Sequence, residues 1–203
     1  MLHQLMITMK TLRSLQLALG TLVMAFLFTL PAAAQTFTVN KTGSTIKVDG
    51  TSNIHDWTIT SAAFQGSLSA TLENGQLVKL EKLEFTVPAE SLKSGKGGMD
   101  KNTYKALNTK THKNITYSLD KVKSLDCSAG QCKISTSGYL TIAGTKKPVD
   151  IIFNATVSAD KIVLSASKEI KMTDYKVDPP KAMMGTITTG DAVTVGLKAT
   201  FTK

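Results

Sequence analysis

From Thr36 onward the chain alternates apolar and polar side chains with a period of two, so most of it must fold as half-buried β-strands. Val193, Val195, Leu197, Ala199 and Phe201 alternate with Thr194, Gly196, Lys198 and Thr200. Ile134, Thr136, Gly138, Leu140 and Ile142 alternate with Ser135, Ser137, Tyr139 and Thr141. Val149, Ile151, Phe153, Ala155 and Val157 follow across a turn at Ala143 to Pro148. Ile162, Leu164 and Ala166 predict another strand, Ile115, Tyr117 and Leu119 one more, and Phe37/Val39, Ile46/Val48 and Trp57/Ile59 three short ones near the start. Leu83, Phe85 and Val87 share one parity and Val78 and Leu80 the other, which predicts a bulge near Glu81-Lys82. Gly66, Gly75, Gly130, Gly144 and Gly190 read as turn punctuation.

Two segments break the alternation. Met99 to Leu107 suits a short helix capped by Asp100, with Met99, Tyr104 and Leu107 on one face. Met172 to Asp191 holds Asp178-Pro179-Pro180 and Met183-Met184-Gly185 and reads as a long ordered loop, a common form for a functional lid. Many antiparallel strands with one helix predict an all-β sandwich or closed barrel, and periodicity does not choose between them. Each strand has one apolar face, and these faces converge on packed side chains or on a cavity.

Residues 1–34 read as an export signal that is cleaved. Lys10 and Arg13 precede an uncharged, mostly apolar run from Leu15 to Leu30, and Ala32-Ala33-Ala34 supplies a small-residue cleavage site. The run is shorter than the roughly 20 residues that cross a bilayer. No cysteine follows it for lipoprotein attachment. Residues 35–203 are then one domain, periplasmic or secreted. Losing Lys10 and Arg13 lowers the net charge from +9 to +7. Nucleic acid is an unsuitable partner, because Arg13 is the sole arginine and the lysines are scattered rather than striped. Weak peripheral contact with an anionic membrane surface fits the charge, and a homodimer is compatible with the sequence. Cys127 and Cys132, with four residues between them, predict a disulfide pinning a hairpin tip in an oxidising compartment.

Three stretches carry a family resemblance. Gly50-Thr51-Ser52-Asn53-Ile54-His55-Asp56-Trp57, Leu83-Glu84-Phe85-Thr86-Val87-Pro88-Ala89-Glu90-Ser91-Leu92-Lys93-Ser94-Gly95 and Gly138-Tyr139-Leu140-Thr141-Ile142-Ala143-Gly144-Thr145-Lys146-Lys147-Pro148-Val149 resemble, in order, signatures of the YceI-like, polyisoprenoid-binding family. The last, similar to the family's G-x-L-T-I-x-G-x-x-K-x-V hairpin, is the most specific. The resemblance implies an eight-stranded antiparallel, lipocalin-like barrel with one short helix and a long lid loop. It also implies a channel for an isoprenoid, quinone or other lipid. The chain departs from the family at His55-Asp56-Trp57 and Gly98-Met99-Asp100-Lys101, so head-group identity does not carry over.

With that resemblance, Phe85, Tyr117 and Phe153 on apolar strand faces, Trp57 at the barrel end, and Met99, Tyr104, Met172, Met183 and Met184 in the irregular segments are the expected ligand-binding residues. Tyr104 and Tyr117 are the expected polar contacts near the mouth, and Phe85→Asp is expected to abolish lipid co-purification. Asp56 is expected to satisfy backbone donors in the turn from Asn53, with the Trp57 N–H bonded. No cofactor, catalytic residue or metal ligand is expected. One rival reading is a metal-dependent or acid/base enzyme built on His55, His112 and Asp56. Neighbours in a strand face opposite ways, however, so His55 and Asp56 would not pair there. The other rival is a ligand-free interaction module of the envelope. No G-x-S-x-G elbow, phosphate loop or dinucleotide fingerprint is present.

Overall fold

A computed structural model describes residues 33–203. All but the last two residues of the expected export signal lie outside the described part. Ten strands follow one another: β1 (Ala34–Ser52), β2 (Trp57–Ser61), β3 (Gln65–Glu73), β4 (Gln76–Pro88), β5 (Asn114–Ser128), β6 (Gln131–Ile142), β7 (Thr145–Val157), β8 (Lys161–Lys171), β9 (Lys181–Ala182) and β10 (Ile187–Thr202). One helix, α1 (Gly97–Ala106), lies between β4 and β5.

The strands are ordered β2-β1-β3-β4-β5-β6-β7-β8-β10-β9, and β1 also pairs with β10. That last pairing, with Val48 opposite Val195 and Thr38 opposite Thr202, closes the sheet. The result is a closed antiparallel barrel with eight strands in its wall, not a sandwich. Closure removes the free edges that a sheet this long would otherwise expose. β2 is a short partner for the second half of β1, and β9 is a two-residue pairing on β10.

The parity switch in β4 is a bulge: Ser69 pairs with Lys82 and Ala70 with Leu80, leaving Glu81 as the extra residue. Elsewhere the sequence reading needs correction. Phe37/Val39 and Ile46/Val48 belong to one long strand. It is interrupted at Asn40–Thr45, where the Asn40 carboxamide accepts from the Thr42 N–H and Gly43 takes φ +80°. The β6–β7 turn is only Ala143-Gly144, both with positive φ, and pairing resumes at Thr145. Asp100 does not cap α1; its carboxylate accepts from the Ser94 N–H and hydroxyl in the preceding loop. Gly66 and Gly190 lie inside strands rather than in turns. The 172–191 segment is ordered by two single 3-10 turns, Thr173–Tyr175 and Met183–Gly185, and by β9.

The Cys127–Cys132 disulfide bridges β5 and β6 across their tight hairpin. At that end the interior is solid. Phe37, Leu68, Ala70, Leu83, Ile134, Ile162, Leu164, Ala199 and Phe201 are all buried there.

Candidate functional site

The opposite end of the barrel, beneath α1, is hollow. The space amounts to about 210 Å³, counted as room for the centres of water molecules. Its floor is an aromatic layer. Phe85, Tyr117 and Phe153 face the space, and Phe85 packs on Phe64 and Phe201 with ring centroids 6.1 and 5.7 Å away. Tyr117 stands between Phe85 and Phe153, 6.2 and 6.0 Å from their centroids. This layer separates the filled half of the barrel from the open half. The walls are the inward positions of β1, β6, β7 and β10, among them Ile46, Val48, Leu140, Ile142, Ile151, Val193 and Leu197. Thr103, Ala106 and Leu107 of the α1 region cover one side, at the i, i+3, i+4 spacing of one helix face. Met172, Tyr175, Val177 and Pro180 cover another.

Polar groups are few. The Tyr117 hydroxyl is turned into the wall towards Thr136 Oγ1 at 3.3 Å, and Thr136 donates to the Ile151 carbonyl at 2.8 Å. Burial pushes the Tyr117 phenol up from its usual value, so it is neutral at physiological pH. Water needs two to four polar partners to occupy a cavity well. This lining instead suits hydrocarbon.

The expected ligand-binding residues divide into two groups. Trp57, Phe85, Tyr117, Phe153 and Met172 line the cavity. Met99, Tyr104, Met183 and Met184 do not. The Tyr104 hydroxyl lies 2.9 and 3.0 Å from the Glu90 and Leu92 carbonyls and accepts from Lys93, which pins α1 to the loop before it. Met99 borders a more polar groove beside His55 and Asp56. Met183 and Met184 point into solvent. Tyr117 sits on the floor rather than near the mouth.

Trp57 pairs across the strands with Gly50, and its indole lies flat on that glycine; any Cβ there would collide with the ring. Its N–H donates to the Thr51 carbonyl at 2.9 Å. The turn before it is held by Ser52, not Asp56: the Ser52 hydroxyl accepts from the His55 N–H and donates to the His55 carbonyl. His55 is exposed there, whereas the His112 ring packs over Gly144. Among the described residues, no three His, Cys, Asp or Glu side chains are placed to hold a metal ion. The same residues contain no helix long and apolar enough to cross a membrane.

The loop over the cavity is tied down by Asp191. Its carboxylate accepts from the Thr173 hydroxyl at 2.7 Å and the Thr173 N–H at 2.9 Å, and its carbonyl accepts from the Met172 N–H at 3.0 Å. The Thr173 hydroxyl, then its N–H, hold the Asp191 carboxyl below the ordinary carboxylate value of 3.8. The closed turn therefore favours the charged form. That stabilisation is complete above the ordinary value and is lost as pH falls through the lower, closed-state value. Emission from Trp57, the sole tryptophan, should shift to the red below pH 3.8 as the loop releases. In Asp191→Ala the shift should already be present at neutral pH. Identical emission profiles for the two proteins would show that Asp191 does not hold the loop.

Sequence reasoning missed Leu92, Thr103, Leu107, Tyr175 and Lys168 as lining residues. Lys168 carried a signal: it continues the inward parity of Ile162, Leu164 and Ala166 along β8.

A YceI-like domain matches residues 31–201. No curated protein matches the sequence. Several solved structures share the fold. BcnA of Burkholderia cenocepacia is 12% identical with a TM-score of 0.61, covering 80% of this chain and 98% of its own. A polyisoprenoid binding domain from Saccharophagus degradans, implicated in plant cell wall breakdown, is 16% identical with a TM-score of 0.61, covering 82% and 97%. The YCEI protein of Campylobacter jejuni is 18% identical with a TM-score of 0.53, covering 68% and 81%. At these identities the likeness speaks for the barrel alone. The domain match takes in every strand of the barrel that holds the cavity, all but the last residue of β10, and the chain belongs to the YceI-like family.

Proposed function

We propose that this protein is an exported carrier that holds a long apolar or amphiphilic molecule, an isoprenoid, quinone or other lipid, in the hollow half of its barrel, and that it is a binding protein rather than an enzyme. The observation that carries this reading is the 210 Å³ hollow walled by aliphatic and aromatic side chains above a solid aromatic floor. Each Å² of hydrocarbon withdrawn from water contributes about 25 cal/mol, so a long chain is driven into such a space without specific polar contacts. The fold-mate from Saccharophagus degradans, described as a polyisoprenoid binding domain, is consistent with it. The apolar N-terminal run and the disulfide support the periplasm or the extracellular space as its location.

Loading takes place at a membrane. Asn53 staples the Ser52–Asp56 turn to the Met183–Gly185 turn: its carboxamide donates to the Thr186 carbonyl and accepts from the Thr188 N–H. The joined tip exposes Ile54, Met183 and Met184 at 57, 72 and 108%. Met183 and Met184 both take positive φ, which costs a non-glycine residue about 1–2 kcal/mol. Greasy side chains held out in a costly conformation suit contact with lipid rather than with water.

The test is transfer from vesicles that contain a C20 isoprenoid. The protein should emerge from the vesicles carrying the lipid. Met183→Asn/Met184→Asn, which keeps residues tolerant of this backbone, should slow uptake several-fold while leaving the final amount unchanged. Protein that leaves the vesicles empty counts against the carrier reading, and equal uptake rates count against the tip.

A further inference from the structure

The barrel wall is incomplete beside the cavity. β7 and β8 pair only from Asn154 opposite Ser165 to Val157 opposite Ile162. Beyond that, residues 145–153 of β7 bond only to β6, and residues 166–171 of β8 only to β10. Continuing the register would set Phe153 against Ala166 and Ile151 against Lys168, and all four line the cavity. The barrel has a second unpaired seam, between residues 76–83 of β4 and 119–128 of β5, but that one is packed shut by Leu77, Leu80 and Leu125. At the β7–β8 seam the strands are not bonded to each other, and the Thr173–Tyr175 turn packs against both of them.

Lys168 is the one charged residue lining the cavity, on the inward face of β8 between Ala166 and Ile170. A lysine in an apolar wall is costly unless its stem lies along the hydrocarbon and its ammonium reaches water or an anion. Lys168 takes part in none of the ion pairs among the described residues. The nearby carboxylate Asp150, across the seam on β7, is committed to Lys123 at 2.7 Å. It nevertheless senses the Lys168 charge. Lys168 is thus a half-buried cation beside the seam that makes no ion pair among the described residues.

We propose that Lys168 is a head-group site: it holds the anionic head, carboxylate or phosphate, of an amphiphile whose tail fills the cavity and whose head lies beside the unbonded β7–β8 seam. This rests on the carrier reading and adds a preference to it, because a neutral lipid of equal length would gain nothing from Lys168.

The test compares cis-parinaric acid with its methyl ester, by probe fluorescence on delipidated protein at pH 7.5. Displacement by geranylgeranyl phosphate and by geranylgeraniol separates the two anions. The anionic member of either pair should bind about tenfold more tightly, the scale of one charge-assisted contact. Lys168→Met keeps the stem and should erase that preference by weakening the anion alone, whereas Lys168→Arg should retain it. A preference confined to the phosphate pair, and lost in Lys168→Met, upholds the site and names phosphate as the head. Equal binding of anionic and neutral members in both pairs by the unmodified protein, or a preference that survives Lys168→Met, overturns the head-group site and leaves the carrier reading intact. If no chain of either kind enters the protein, the carrier reading fails and this site fails with it.

Discussion

Ala166→Phe will abolish lipid binding in a protein that still folds. Ala166 points inward from β8 opposite Leu197, on the open side of the aromatic floor. A phenyl ring grown from that position enters the hollow rather than the packed half of the barrel. Overpacking a full core costs about 1–3 kcal/mol, because neighbours must leave their rotamers. Here the ring meets empty space, and its own burial offsets any adjustment, so the unfolding free energy should stay within about 1 kcal/mol of the parent. Bound lipid should fall by more than tenfold, measured as the ligand-loaded fraction in native mass spectra. A folded Ala166→Phe protein carrying the parental mass would place the ligand outside the hollow.

Phe85→Ala will have the largest effect on stability. Phe85 is buried, with ring contacts to Phe64, Tyr117 and Phe201, and joins the solid half of the barrel to the hollow one. Truncating a phenylalanine of this kind costs about 3–5 kcal/mol, through lost transfer energy and the cavity left behind. That is a large share of the roughly 5–15 kcal/mol by which a domain is stable. Urea denaturation should show an unfolding free energy lowered by that amount, read as a lower midpoint with an unchanged slope. A loss below about 1 kcal/mol would mean the aromatic layer is not the structural floor described above. The same placement changes the meaning of Phe85→Asp. An uncompensated carboxylate inside this layer would unfold the barrel, so lipid lost from that variant would report on folding and not on the cavity.

Strand identity was legible because a half-buried strand writes its two faces into alternate residues. The bulge at Glu81 was legible for the same reason, as a change of parity. The continuity of β1 was hidden, since Asn40-Lys41-Thr42-Gly43-Ser44 is composed like a turn. The Ser44 hydroxyl, bonded to the Asn40 carbonyl and the Thr200 N–H, and the pairing with β10 that resumes at Thr45 carry the strand through it. Met99 as an adaptable apolar side chain and Tyr104 as a polar contact at the mouth both fit a short helix over the cavity. The face that covers the hollow is instead Thr103, Ala106 and Leu107. Met183 and Met184 face outward through left-handed backbone, which apolar residue type does not announce. Inward aliphatics look alike in sequence whether they meet one another or surround a space. The hollow itself was therefore expected from family resemblance and not from pattern. Lys168 gives two opposed signals, since its parity says interior and its charge says surface; its half-buried place beside the unbonded β7–β8 seam satisfies both.

The most direct test of the account is a native mass spectrum of the protein purified from its own host, recorded beside Ala166→Phe. A carrier should appear with one added apolar mass, released on solvent extraction and missing from the variant. Unmodified protein that arrives from its host at its bare mass, with nothing recovered by extraction, would contradict it.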